Sequence, residues 1–345
     1  MLRKELLAIL KSVAPTLDSH AVIPVLSHLC FTNKQVYAYN NVTCLRAPCN
    51  LNIEGAVPGA VLLSVLEQSR AAEIVCEASR NEALFRSGKK TINLRLAVLP
   101  TTDFLFKAPI QEGVEVKFAA EFQAALRLVA KVASEETADP ALSGVTLSFG
   151  KKSLTFYATD TRAMAKVTIA LSAPKMAGKS LILSKEFYTQ LLKMSGKVIV
   201  IFTDSGDLIA VGKDLELFGR VVQNARPEMF ENTFKDNALD NIPQTDIPES
   251  MNLMLQRAVS VNPEMTSFTY ENGKLYLLTK GLGSELRDKV SVGLGKKPLS
   301  AATSTKSLLK HWDDASRFGI GESCILMRGD GWVSIVAVLG KADEN

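Results

Sequence analysis

Three histidines, His20, His28 and His311, are too scattered to form a zinc set such as H-E-x-x-H, and five cysteines (Cys30, Cys44, Cys49, Cys76, Cys324) include no C-x-x-C pair. They read as buried free thiols. One glycine-rich basic run, GLGKKP from Gly293, has the wrong spacing for a phosphate-cradling loop and lacks its hydroxyl, and no G-x-S-x-G elbow occurs. Asp313 and Asp314 are adjacent acids, but neighbouring helical positions point about 100° apart, so they read as solvated surface and not as a metal pair. No metal or cofactor is expected. The charged side chains that remain to be placed are chiefly Lys and Arg. Forty of them against 36 Asp and Glu give a net charge of +4, which permits nucleic-acid contact without requiring it.

Such cations need elements to position them, and the chain repeats its elements. Three stretches carry apolar residues at helical spacing: Leu2, Leu6, Leu7, Ile9, Leu10 and Val13; Phe122, Ala125, Leu126, Val129 and Val132; Met251, Met254, Leu255, Ala258 and Val259. Each is followed by a hairpin-like unit, HLCFTNKQVYAYN from His28, VTLSFGKKSLTFYATD from Val145 and FTYENGKLYLLTK from Phe268, with turns at Asn33-Lys34, Gly150-Lys151 and Asn272-Gly273. A second helix then follows in each block, from Pro58, Ser184 and Ser304. Pro58 suits a first helical turn, and Ser184 and Ser304 suit N-caps. Short apolar runs such as LILS, VIVIF, DLIAVG and WVSIVAVL read as further strands.

The 345 residues, 47% hydrophobic and 22% charged, exclude a disordered or collagen-like chain and are enough for two or three domains. The repeat predicts an α+β fold of three similar domains, 1–112, 113–240 and 241–345, each with two helices on antiparallel sheet. Amphipathic helices and hairpins are common, so chance similarity is the alternative. The N-terminal MLRKELLAILKSVAP reads as an amphipathic helix, because Glu5 and Lys11 interrupt any signal or membrane span, and a cytoplasmic protein is expected.

The six predicted helices cover 1–13, 58–70, 119–133, 184–197, 249–262 and 304–317. Together they carry a net charge of +6, leaving −2 for the remainder of a chain whose total is +4. Positive charge therefore concentrates on the helices, either as a phosphate-facing surface or as ordinary decoration of exposed helix faces.

The runs IPVLSHLCF (Ile23–Phe31), ALSGVTLSFGKKSLTFYATDTRAMA (Ala141–Ala165) and FGRVVQNARPEMF (Phe218–Phe230) resemble the bacterial-type DNA sliding clamp, the β subunit of DNA polymerase III. The resemblance covers essentially the whole chain, and Ala158-Thr159-Asp160 is its most specific piece. After that triplet the family usually continues Gly-His-Arg-Leu, whereas Thr161, Arg162, Ala163 and Met164 stand here. The family's C-terminal M-P-M-R-L is replaced by WVSIVAVLGKADEN, and the mildly basic charge departs from its usual acidity. These departures suggest a distant relative of viral or unusual bacterial origin.

The resemblance implies a homodimeric ring that encircles duplex DNA and tethers a replicative polymerase, with a clamp loader as a further partner, no catalysis and no membrane. Its DNA-facing residues would be Arg3, Lys4, Lys11, Arg127, Lys131, Lys185, Lys193, Lys197, Arg257, Lys306 and Lys310, with His20 in a loop where the family often has a basic residue. Its socket for partner peptides would draw on Leu142, Thr159, Arg162, Met164, Pro227, Val336, Val338 and Leu339, with Met164 and Leu142 as an apolar floor, Val338 and Leu339 as one wall, and Thr159 and Arg162 at the rim. The rival readings are a DNA-binding accessory protein that does not encircle its substrate, and an enzyme with a dispersed site.

Overall fold

The computed structural model describes residues 1–18, 22–87, 92–134, 139, 142–295 and 297–340. His20 lies outside the described residues. The elements recur in one order, a helix, four strands, a helix and three strands. The first pass is α1 (Arg3–Val13), β1 (His28–Thr32), β2 (Gln35–Tyr39), β3 (Cys44–Pro48), β4 (Gly55–Pro58), α2 (Gly59–Gln68), β5 (Val75–Ala78), β6 (Glu82–Arg86) and β7 (Asn93–Ala97). A lead-in strand, β8 (Val114–Lys117), opens the second: α3 (Ala120–Ala130), β9 (Val145–Phe149), β10 (Ser153–Thr159), β11 (Ala163–Ala170), β12 (Ser180–Leu183), α4 (Lys185–Leu191), β13 (Ile199–Phe202), β14 (Asp207–Val211) and β15 (Glu216–Val222). An extra helix α5 (Pro227–Asp236) and a lead-in strand β16 (Gln244–Asp246) open the third. It continues with α6 (Glu249–Val261), β17 (Thr266–Glu271), β18 (Lys274–Gly281), β19 (Ser284–Ser291), β20 (Leu299–Thr303), α7 (Thr305–Trp312), β21 (Arg317–Ile320), β22 (Cys324–Gly329) and β23 (Trp332–Ala337).

Local chemistry accounts for these elements. α1 buries Leu6, Leu10 and Val13 on one face, and α3 buries Phe122, Ala125, Leu126 and Val129. In the first hairpin Asn33 and Lys34 both take positive φ, as do Asn272 and Gly273 in the third, so both hairpins close through two-residue primed turns matched to strand twist. Ser304 caps α7 by accepting the Ser307 N–H at 3.2 Å. Two predicted helices stop early: α4 ends at Leu191, before Gly196 turns the chain at φ +79°, and α7 ends at Trp312. The connection after Phe218 contains a helix that the sequence reading did not predict: in α5, Pro227 occupies the first turn, and Phe230 and Phe234, one turn apart, are buried.

The chain parts into two compact units, Met1–Ala119 with Glu186–Val221, and Ala120–Lys185 with Val222–Asn345. In the first, an antiparallel sheet runs β8-β13-β14-β15-β3-β2-β1-β4, and β5-β6-β7 forms a second sheet. Arg46 and Glu216 form an ion pair across the β3 to β15 join, with the guanidinium 4.9 Å from the Phe218 ring centroid. In the second unit the same order returns as β16-β21-β22-β23-β11-β10-β9-β12, beside a four-stranded sheet β19-β18-β17-β20. Each eight-stranded run thus joins the four-stranded part of one repeat to the three-stranded part of the next, so the compact units do not follow the repeat boundaries.

Candidate nucleic-acid interface and partner cleft

The cations predicted to meet phosphate differ in how they are held. Arg3 is spent locally: its Nε and Nη1 donate to the Ala71 and Leu66 carbonyls at 3.0 and 2.8 Å, tying α1 to the end of α2. Lys11 pairs with Glu67 at 2.7 Å, Lys131 with Asp314 and Arg257 with Asp288. These pairs are solvent-exposed and worth little to stability, so phosphate can compete for the cations. Lys310 is half-buried and donates to Asp160 at 2.7 Å, a structural bond inside the fold. Lys4 on α1 and Lys306 on α7 are exposed and, among the described residues, meet no carboxylate. Arg127 on α3 is exposed and Lys185 at the start of α4 is half-buried. Lys193 and Lys197 lie past the end of α4 and do not belong to that helix.

The residues expected to form a socket gather around the turn from β10 to β11 and the strand β23. Ala163 stands opposite Val336 and Met164 opposite Ile335, and the Ala337 N–H donates to the Arg162 carbonyl at 2.8 Å. Asp160 holds the turn by accepting the Arg162 and Ala163 N–H groups at 3.0 and 2.6 Å. At its tip Thr161 is forced to φ +73°, unfavourable for a β-branched residue, in the place where the resemblance leads one to expect glycine. Thr159 is buried, its hydroxyl donating to the Ala163 carbonyl at 2.8 Å, and Val336 is fully buried. Both therefore serve the core, with no surface to offer a peptide. Arg162 reaches outward to Glu264 at 2.6 Å.

Among the described residues Met164, expected in the floor, does not line the cleft that Leu339 lines. Met164 packs against a cluster of Tyr157, Phe230, Phe234, Leu326 and Ile335, which α5, begun by the half-buried Pro227, helps to cover. Beyond β23 the Val338 N–H bonds the Ser323 carbonyl, and the Leu339 N–H turns to Ala302 at 2.7 Å. Leu339, 53% exposed, then lines a cleft of 440 Å³ with Met265, Ser267, Leu278, Lys280 and Ala302. Leu142 is half-buried ahead of β9. Met265 was missed in the sequence; an apolar residue in the polar run NPEMTS before a hairpin was the available signal.

Behind this region sits His311, fully buried, with Nε2 donating to the Leu128 carbonyl at 2.8 Å and Nδ1 beside the Ser334 hydroxyl at 2.8 Å. That hydroxyl is shared with the Met164 carbonyl at 3.0 Å. Burial pushes the imidazole below its ordinary value despite the bond to Leu128, with Lys131 and Lys310 adding to the depression and Asp314 opposing it. Burial also opposes ionisation of Glu231, but hydrogen bonds from Lys166 and Tyr157 outweigh it and hold this carboxyl below its usual range. Four of the five unpaired cysteines are buried, and desolvation raises Cys30 to about 12 and Cys324 to about 11, so these thiols are poor nucleophiles. Among the described residues no cluster of three or more His, Cys, Asp or Glu could hold a metal ion, and no helix is long and apolar enough to cross a membrane.

Comparison with solved structures decides what this architecture is. A DNA polymerase III subunit beta sliding clamp from Bartonella birtlesii, bound to griselimycin, superposes with a TM-score of 0.87 at 17% identity, covering 99% of this chain and 98% of that one. The chain has the sliding-clamp fold. The beta subunit of DNA polymerase III from Thermotoga maritima matches with a TM-score of 0.82 at 18% identity, and a Helicobacter pylori beta clamp bound to a DNA ligase peptide with 0.83 at 15%, each over 99% of both chains. Residues 118–225 match the family model described as DNA polymerase III beta subunit, N-terminal domain. No curated protein sequence matches. The resemblance read from the three sequence runs therefore holds, and the low identities mark this clamp fold as a divergent one.

Proposed function

We propose that the protein is a DNA polymerase processivity factor, a sliding clamp built of three domains, 1–112, 113–240 and 241–345, that encircles duplex DNA as a homodimer. The observation that carries this reading is the strand order. Within the chain β3 joins β15 and β11 joins β23, each time linking the edge of a four-stranded sheet to the last strand of the following three-stranded set. By the same rule β19 should join β7, and among the described residues each is an edge of its sheet within one chain. Pairing β19 of one copy with β7 of a second covers two open edges at each of two seams and completes six repeats.

The cations Lys4, Lys11, Arg127, Arg257 and Lys306 on helices, with Lys131 just past the end of α3, then supply a lining that contacts phosphate without reading bases, as sliding requires. The cleft at Leu339 and Met265 supports docking of a hydrophobic partner peptide, in keeping with the ligase peptide on the Helicobacter clamp. A polymerase and a loader are the partners this reading calls for, and it assigns the protein no covalent step and a place of action on cytoplasmic DNA.

The test is retention on DNA. Protein loaded on nicked circular duplex should remain bound in high salt, leave when the circle is linearised, and have the solution mass of a dimer. Equal loss from circular and linear DNA would point instead to an accessory protein bound by charge alone.

A further inference from the structure

After α4 the chain turns through Ser195 and Gly196 into β13, and nearby the β14 to β15 connection closes with the Gly212 N–H donating to the Leu215 carbonyl at 2.9 Å. The two turns enclose a cleft of 690 Å³ within the first unit, a volume in the range of ligand-sized sites. A Cβ at Gly212 would come within 3.1 Å of the Met194 methyl, so the glycine keeps the floor open. That floor is aliphatic, made by Met194, Ile199, Val211 and Leu215. Ile199 is 37% exposed and Met194 only 7%, so Ile199 offers most of the floor's accessible apolar surface. The rim has the opposite character. Lys193, Lys197 and Lys213 stand there against Asp214 alone, all four exposed, and Lys197 and Lys213 meet no carboxylate among the described residues.

The combination restricts what can bind. A surplus of positive charge favours carboxylates or phosphates, but an aliphatic floor adds nothing for bare phosphate. No aromatic side chain is among the lining residues, so single-stranded bases have nothing to stack on. An extended peptide would need a free strand edge, and β13 is already hydrogen-bonded on both sides, to β8 and to β14. A helix needs no edge: it lays one aliphatic stripe on an apolar floor and directs its flanking charges to the rim. We propose that this cleft docks an acidic amphipathic helix of a partner protein, its aliphatic stripe on Ile199 and Met194 and its carboxylates at Lys193, Lys197 and Lys213. The site is separate from the cleft at Leu339, and the proposal does not depend on ring closure.

The probe is a fluorescein-labelled helical peptide of about 14 residues, with Leu at i, i+3, i+4 and i+7 and Glu at the other positions, titrated with the full chain while anisotropy is read. Binding that weakens with added salt is expected. The triple variant Lys193→Glu, Lys197→Glu, Lys213→Glu should bind at least about tenfold more weakly, with an unchanged melting temperature because all three side chains are exposed. Ile199→Ser should also weaken binding while leaving the salt dependence intact. A peptide of equal charge with Ser in place of Leu should not bind. Equal affinity for the triple variant, equal binding of the serine peptide, or displacement of the probe by a thymidine oligonucleotide at matched charge would each overturn the assignment.

Discussion

Thr161 is a residue at odds with its backbone. Holding a β-branched residue in the left-handed region costs about 1–2 kcal/mol, whereas glycine there costs about 0.5–1 kcal/mol through the freedom it adds to the unfolded chain. Thr161→Gly should therefore raise stability by about 0.5–1 kcal/mol, read as a higher denaturation midpoint in urea. His311 makes a second prediction. Its pKa is lowered in the fold, so as pH falls below the ordinary histidine value of about 6.5 the unfolded chain takes up the proton first. Stability is full above that pH and declines below it, and His311→Gln should flatten the decline in melts taken between about pH 7 and 5. Leu339 gives a third. It is exposed, so Leu339→Ala should leave folding intact and weaken a hydrophobic partner peptide about 5- to 30-fold in a titration, an anchor's share of about 1–2 kcal/mol.

At the scale of elements, the strands carry the plan, while the excess of positive charge read onto the helices falls largely past their ends, at Arg70, Lys131, Lys193, Lys197 and Arg317. Lys4→Glu with Lys306→Glu, on exposed positions of α1 and α7, should lower DNA retention and flatten its dependence on salt, while the melting temperature stays within about a degree or two. Unchanged retention at every salt concentration would place the DNA elsewhere. The hairpins and core helices were legible because their signals are local: turn pairs such as Asn272-Gly273, alternating strands and Leu6, Leu10 and Val13 at helical spacing. α5 was not, since its Pro-Glu-Met-Phe start mimics a connection and its two buried phenylalanines matter only once β10 and β23 lie beneath them. The socket was legible in part. Adjacency of Arg162, Met164 and Val336 follows from strand register, but register also turned Val336 into the core, and the company of Leu339 depends on a chain reversal after β23 that no spacing announces.

For the whole molecule, the open edges make the fifth test. Successive N–H groups along β7 alternate between β6 and the outside, so of Leu94 and Arg95 one presents its N–H to a partner strand. Proline placed singly at each should leave one variant a folded monomer by light scattering and damage pairing with β6 in the other. Two dimers would mean that the seam is not at β7.

On the proposed pairing of β7 with β19, the two edges would also fix how copies of the chain add to one another. They are unlike, so a chain is a bifunctional monomer of the head-to-tail kind: it can extend or cyclise, and it cannot branch. Which outcome prevails is then a matter of curvature. A small bend per repeat decides between a closed cycle and an open filament with no change in the chemistry of the joint. Once a cycle closes, its last joint forms between ends already tethered, at the high effective concentration of an intramolecular reaction. Either joint can then part alone, leaving a hinged chain of two links whose ends stay near enough to meet again.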